Sequence, residues 1–141
     1  MTESGKSYEL AVERAVGASP AVAYQAWTEG FGRWFASPDS VLMKPEVDVP
    51  FFFETDFEGA RHAHYGRFLR LVPAELVELT WVTTGTGGAE TVVTVELEPA
   101  GDGTLVKLAH RGFPTEEFRD GHQQAWPQVL AQFDDRIHTT S

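Results

Sequence analysis

The sequence contains no cysteine and few basic residues, and both shortages restrict what the protein does. Without cysteine there is no disulfide framework and no thiolate chemistry. Eleven Lys and Arg stand against 21 Asp and Glu, which gives a formal net charge of −10 at pH 7. The basic residues are scattered, whereas nucleic acids and anionic membranes are bound by clustered ones. We therefore expect neither nucleic acid nor a membrane as a partner.

Long apolar runs are also missing. No stretch approaches the roughly 18 apolar residues that a membrane-spanning helix needs. The first residues, MTESGKSYEL, lack a basic region followed by an apolar one, so we do not expect a secretory signal. These features predict a cytoplasmic protein, with residues 1–6 as a disordered N-terminal segment and residues 7–141 as a single domain.

Hydrophobic periodicity predicts a strand, two short helices, six further strands and one long helix. Residues 8–16 alternate as a half-buried strand. Ser19 and Pro20 are typical of a helix start, and a second helical turn is expected over residues 32–35. The six later strands are predicted over residues 40–45, 47–55, 62–72, 75–84, 91–97 and 104–110.

The C-terminal stretch 115–138 has the apolar spacing of a buried helix face, with Thr115 as its N-cap. Gly121 and Pro127 predict a break, with the main helix starting near Gln123 and Pro127 in its first turn. The apolar residues three or four apart are Ala125, Trp126, Val129, Leu130, Phe133 and Ile137. Since each strand keeps one apolar face, this helix is the cover that the sheet needs.

The residues that mark this segment order are Arg14, Ser19, Pro20, Val22, Trp34, Gly66, Phe68, Pro73, Thr80, Trp81, the run Thr91–Val95, Gly103, Thr104, His110, Gly112, Phe113, Trp126 and Leu130. In this order they resemble the helix-grip fold of the START-like (SRPBCC) superfamily, and in particular the family named for the C-terminal domain of the activator of the heat-shock-protein-90 ATPase. Two positions depart from the family pattern. Ala125 stands where a glycine usually precedes the helix tryptophan, and Pro127 directly follows that tryptophan.

The resemblance implies an α+β fold of order β-α-α-β6-α, in which a curved antiparallel sheet is wrapped around the long C-terminal helix. It also implies that a cavity can lie between helix and sheet. Members of the superfamily bind lipids, hormones or polyketides, some cyclise polyketides, and some contact the chaperone.

Three sets of polar side chains are candidates for a metal-binding or acid–base role. His62 and His64 share a strand face, but alternation places them opposite Tyr65, so we expect surface residues and no metal site. His110 shares a face with inward residues, which leaves open whether it meets a ligand or a protein hydrogen-bond partner. The acidic run Glu54, Asp56 and Glu58 is expected to be solvated. No nucleotide-binding or nucleophile motif is present, so no catalytic residue and no cofactor is predicted.

The abundant aromatic residues, ten Phe and four Trp, indicate a bulky core or an aromatic-lined cavity. We expect a non-catalytic protein that binds a small apolar, lipid-like or polyketide-like molecule, as a monomer or weak homodimer. The alternatives are a polyketide cyclase or aromatase, using His110 or Tyr65 as acid or base, and a chaperone-interaction module. The candidate cavity residues are Trp34, Phe51, Phe53, Tyr65, Trp81, Thr83, His110, Phe113, Trp126, Leu130 and Phe133.

Overall fold

The computed structural model describes residues 8–57 and 59–137. The predicted N-terminal segment 1–6 lies outside them, as does Glu58 of the acidic run. The described chain forms β1 (Tyr8–Val16), α1 (Pro20–Thr28), β2 (Pro50–Phe57), β3 (Ala60–Val72), β4 (Leu76–Trp81), β5 (Thr91–Ala100), β6 (Gly103–Phe113) and α2 (Glu116–Ile137), with short 3-10 turns at Phe31–Arg33, Pro38–Ser40 and Thr84–Thr86.

The strands form one sheet in the order β1-β6-β5-β4-β3-β2, and every neighbouring pair is antiparallel. The sheet is curved and does not close on itself, and α2 packs against it. This confirms the predicted α+β helix-grip fold. The predicted strand 40–45 is wrong, because that segment makes only an isolated bridge between Leu42 and Phe52. The described sheet therefore has six strands and not seven.

The helical unit after β1 follows the prediction. The Val22 N–H donates to Ser19 Oγ at 3.3 Å, and Pro20 occupies the first turn, where its missing N–H costs nothing. Trp27 and Trp34 are both fully buried, and Trp34 Nε1 donates to the Ala26 carbonyl at 3.0 Å. These rings form the base of the core beneath α2, since Trp34 meets the Phe133 ring at a centroid distance of 4.8 Å.

Strand β3 contradicts the predicted facing of its side chains. His64 is only 7% exposed, whereas Tyr65 is 53% exposed. The cause is a register shift between Phe68 and Arg70, where one extra residue, Leu69, interrupts the pairing with β4. Such a bulge reverses the alternation, so the inward facing of Leu71 does not extend back to Tyr65.

The strands β4, β5 and β6 face as the alternation predicts. Their inward side chains form the sheet side of the core, and His110 ends this row on β6. The residues predicted to face inward are all buried: Val77, Leu79, Trp81, Val93, Val95, Leu97, Val106, Leu108 and His110.

Helix α2 is continuous, so the predicted break at Gly121 is wrong. Its N-cap is confirmed, because the Phe118 N–H donates to Thr115 Oγ1 at 3.2 Å. Pro127 lies in the helix interior and would leave the Gln123 carbonyl without its usual partner. Both residues are exposed, so water can hydrate that carbonyl. The burial of the apolar side chains from Trp126 to Ile137 then stabilises the helix by more than the missing hydrogen bond costs.

Candidate functional site

An open cleft of about 560 Å³ lies between the first half of α2, the paired ends of β2 and β3, and the turn that follows β4. Aromatic and aliphatic side chains form much of its wall, and histidine, glutamine and threonine side chains are set among them. The lining residues are Phe35, Thr55, Asp56, His62, His64, Trp81, Thr83, Thr84, Gly85, Gly121, His122, Gln124, Ala125, Trp126, Gln128, Val129 and Gln132.

The turn after β4 brings α2 close to the sheet. Thr83 caps the 3-10 turn, with its backbone N–H donating to Thr86 Oγ1 at 3.2 Å. Gly85 then lies against the ring of His122, because a Cβ at that position would be only 3.1 Å from His122 Cε1. A side chain at position 85 would thus push the histidine away from the turn.

A chain of hydrogen bonds fixes the inner wall of the cleft. Trp126 Nε1 lies 3.1 Å from His110 Nδ1, and because an indole nitrogen only donates, Nδ1 must accept. The proton of neutral His110 therefore sits on Nε2, which donates to Thr91 Oγ1 at 2.7 Å. The Thr91 hydroxyl in turn donates to the Trp81 carbonyl at 2.6 Å.

These bonds decide the role of His110. The residue faces α2 as predicted, but it is fully buried and both ring nitrogens have protein partners. Burial, and to a lesser extent the nearby His122, lowers the pKa of His110 to about 2. Of the two possibilities left open by the sequence, the geometry favours a structural histidine with protein partners.

His64 is held differently. Its ring stacks on Phe53 at a centroid distance of 4.8 Å, and its Nδ1 lies 3.1 Å from the His62 carbonyl. Because a carbonyl only accepts, Nδ1 carries the proton. Burial lowers the pKa of His64 to about 4, so near neutral pH the ring is uncharged and Nε2 is unprotonated.

His122 repeats this arrangement on α2. Its Nδ1 lies 3.0 Å from the Phe118 carbonyl, one helical turn earlier, and burial lowers its pKa. Its Nε2 is therefore also unprotonated. Within residues 8–57 and 59–137, Trp27 Nε1 is the one fully buried side-chain nitrogen or oxygen without a hydrogen-bond partner. The Nε2 atoms of His64 and His122 also have no hydrogen-bond partner among these residues, but they are not fully buried. Because both side chains line the cleft, these two nitrogens are accessible from it.

The cleft carries little charge. Among the described residues that line it, Asp56 is the one carboxylate and none is a Lys or Arg. Asp56 is itself exposed and lies 3.9 Å from Arg61 Nε. Over the described part of the chain, no group of three His, Asp or Glu is arranged to hold a metal ion. The site is therefore a mostly uncharged surface with aromatic walls and several hydrogen-bonding groups.

The eleven sequence-predicted residues fall into three places. Trp81, Thr83 and Trp126 line the cleft. Tyr65 lies on the outer face of the sheet, against Phe52. The other seven are buried in the core or, for His110, in the hydrogen-bonded chain behind the cleft: Trp34, Phe51, Phe53, His110, Phe113, Leu130 and Phe133.

The histidines of the cleft were missed. His122 had a usable signal, since it precedes Trp126 by four residues and so shares its helix face. His64 had none, because the bulge at Leu69 that turns it inward leaves no clear mark in the sequence.

A second depression of about 720 Å³ lies at the opposite end of the sheet, around the turn between β3 and β4. It has no aromatic wall, and Glu75, Glu96 and Glu98 border it. Ligand sites are usually apolar with a few placed polar groups, so the histidine-lined cleft is the better candidate.

Residues 17–138 match the family described as Activator of Hsp90 ATPase homolog 1-like protein. This match spans most of the chain. The protein belongs to the Activator of Hsp90 ATPase homolog 1-like family. The family resemblance predicted from the sequence is thereby confirmed. No curated protein matches the sequence significantly.

Solved structures similar to this chain share its fold at low sequence identity. A Chromobacterium violaceum protein has a TM-score of 0.78 at 22% identity, covering 92% of this chain and 97% of its own. A Mesorhizobium loti protein has a TM-score of 0.78 at 22% identity, covering 95% and 99%. The Aha1 dimer from Colwellia psychrerythraea, solved in solution, has a TM-score of 0.68 at 21% identity, covering 93% and 96%.

No helix within the described residues is long and apolar enough to cross a membrane.

Acidification is predicted to destabilise the fold through its buried histidines. Folding lowers the pKa of His64 from 6.5 to about 4 and that of His110 from 6.5 to about 2. Between about pH 6.5 and 4 the unfolded chain binds more protons. The free energy of unfolding should then fall by up to about 1.4 kcal/mol per pH unit for each histidine.

Urea unfolding at pH 7.5, 6.5, 5.5 and 4.5 measures this slope. The variant His64→Phe keeps the stack on Phe53 and removes one titrating group, so its slope should be shallower. A free energy of unfolding that stays constant from pH 6.5 to 5 in the native sequence would contradict the burial of neutral histidines.

Proposed function

We propose that this protein binds a small, uncharged, largely aromatic molecule in the cleft between α2 and the sheet. The observation that carries the proposal is the composition of the cleft wall. The rings of Trp81 and Trp126 lie 5.4 Å apart at its inner side, and histidine, threonine and glutamine side chains are set around them. A volume of about 560 Å³ is within the range of about 300–1,000 Å³ typical of ligand pockets.

The wall favours aromatic, polyketide-like molecules over fatty acids and phospholipids. Ring faces attract other rings in offset or edge-to-face contact. An anionic lipid would need a cation for its carboxylate or phosphate, and no Lys or Arg is among the lining residues that the structure describes. Asp56 at the rim further disfavours an anion.

The inner wall is also rigid. Trp126 is fixed by its bond to His110, and that histidine is fixed by Thr91. A wall that is already ordered loses little conformational entropy when a ligand arrives.

A cyclase or aromatase would use His110 or Tyr65 as its acid or base, and the geometry supports neither residue in that role. His110 Nδ1 accepts from Trp126, and the low pKa of His110 makes it a weak base. Tyr65 lies on the other face of the sheet, away from the cleft. Binding is therefore the function that these residues support.

A cleft-filling variant tests this proposal. Ala125 is exposed and lines the cleft, whereas Ala21 is an exposed helical alanine on α1 outside it. Ala125→Trp should weaken binding of neutral bicyclic and tricyclic aromatics about tenfold or more, since the added indole occupies the ligand volume. Ala21→Trp should bind as the native protein does.

Binding is measured by thermal shift against a library of such aromatics, after native mass spectrometry identifies any co-purifying molecule. A compound at about 100 times its Kd stabilises the fold by about 2.7 kcal/mol, which raises the Tm by several degrees. The proposal fails if no compound raises the Tm, or if Ala125→Trp binds as well as Ala21→Trp.

Chaperone interaction is a second candidate, which family membership favours. One surface feature supports it. Leu42 is 69% exposed and Tyr65 is 53% exposed, and both adjoin Phe52 on the outer face of the β2–β3 ribbon. Exposed apolar side chains that adjoin one another are typical of protein contact sites.

An ATPase assay separates the two candidates. If the outer face of β2–β3 contacts a heat-shock-protein-90 chaperone, the native protein should raise its ATPase rate. Leu42→Ser with Tyr65→Ser should abolish that increase by removing the apolar contact, while Ala125→Trp should keep it. An unchanged ATPase rate at saturating protein would remove this candidate.

A further inference from the structure

We propose that the cleft selects aromatic ligands that carry two hydrogen-bond donors, such as a dihydroxylated fused-ring compound, and that His64 and His122 accept those donors through Nε2. This rests on the proposed function, because it specifies the chemistry of the molecule that the cleft binds. The supporting observation is that backbone carbonyls hold the proton of each histidine on Nδ1, which leaves Nε2 as an acceptor.

His64 gives the first acceptor. Its ring stacks on Phe53 and meets the Trp81 ring edge to face, with the centroids of His64 and Trp81 5.1 Å apart. Its Nδ1–H is committed to the His62 carbonyl. A side chain that is only 7% exposed thus lines the cleft with an unprotonated nitrogen for which no described residue supplies a donor.

His122 gives the second acceptor. Its ring lies against Gly85, and it packs on Phe113 at a centroid distance of 4.9 Å and on His110 at 5.0 Å. Its Nδ1–H is committed to the Phe118 carbonyl. The remaining nitrogen is therefore also an acceptor, and His122 lines the same cleft.

The aromatic wall connects the two acceptors. Trp81 contacts the His64 ring at 5.1 Å and the Trp126 ring at 5.4 Å, and Trp126 lies four residues after His122 on α2. A flat molecule placed on this wall has an imidazole acceptor on the sheet side and another on the helix side. When a ligand displaces water from the cleft, an acceptor that it leaves without a donor costs free energy. A ligand that supplies donors therefore binds more tightly than one that does not.

Two other ligand chemistries fit less well. An anion would meet two lone pairs and the Asp56 carboxylate, and none of the described lining residues is a Lys or Arg. Arg61, which lies beside Asp56, is already paired with Glu54 and Asp56. A zinc ion needs three or four protein ligands, and no group of three suitable side chains is arranged for one within the described residues.

The test compares matched compounds by quenching of tryptophan fluorescence. The probes are 1,5-dihydroxynaphthalene, 1,5-dimethoxynaphthalene, which has acceptors but no donors, and unsubstituted naphthalene. Each neutral hydrogen bond is worth a factor of about five, so the dihydroxy compound should bind about tenfold or more tightly than either comparator.

Variants locate the preference. The preference is the Kd of 1,5-dimethoxynaphthalene divided by the Kd of 1,5-dihydroxynaphthalene. His64→Phe and His122→Leu should each reduce this ratio, and the two together should bring it near one. Gln123→Leu, next to His122 but outside the cleft lining, should leave the ratio unchanged. A thermal melt of each variant confirms that it is folded.

The outcomes separate this inference from the proposed function. If all three probes bind with equal Kd, the inference is overturned while aromatic binding stands. The inference is also overturned if the preference persists in the double variant. If none of the probes binds, the inference and the proposed binding of aromatics in the cleft are both overturned.

Discussion

The structure depends on one directed row of hydrogen bonds, from Trp126 through His110 and Thr91 to the Trp81 carbonyl. These bonds join α2 to β6, β5 and β4. Every group in the row is buried, so removing one of them would leave its neighbour as a buried polar group without a hydrogen-bond partner. Because an indole donates and a carbonyl accepts, the direction of the whole row is fixed, and so is the proton on His110.

That row also lies between the packed core and the cleft. Deeper in the fold, the fully buried rings of Trp27, Trp34 and Phe133 pack against one another under α2. Nearer the start of α2, Trp126 packs on Trp81 and is held by its hydrogen bond to His110, and both tryptophans line the cleft. The same burial that fills the core keeps the histidines neutral, because an isolated charge there would be poorly solvated.

The sequence predicted most of the fold and little of the site. Alternation in β4, β5 and β6 is regular, so the inward residues from Val77 to His110 could be assigned, and the cap residues Ser19 and Thr115 marked both helix starts. The facing of β3 could not be assigned, because the bulge at Leu69 is set by pairing with β4. Propensity at Gly121 and Pro127 predicted a break that the buried face of α2 overrides.

The site was predicted from apolar facing, and facing alone cannot separate a filled core from a cleft wall. Phe51, Phe53 and Phe133 point inward as the pattern indicates, yet they pack against other rings. The cleft is instead defined by polar side chains at the rim, His64, His122 and the glutamines of α2. Which of these are acceptors follows from backbone carbonyls that become neighbours only after folding.

A long-range ¹H–¹⁵N correlation spectrum at pH 7 reports directly which nitrogen of each histidine ring carries the proton. Three neutral rings with fixed tautomers are expected: His110 protonated on Nε2, and His64 and His122 protonated on Nδ1. A proton on Nε2 of His64 or His122, or an imidazolium at any of the three rings at that pH, would contradict the hydrogen bonding described for them.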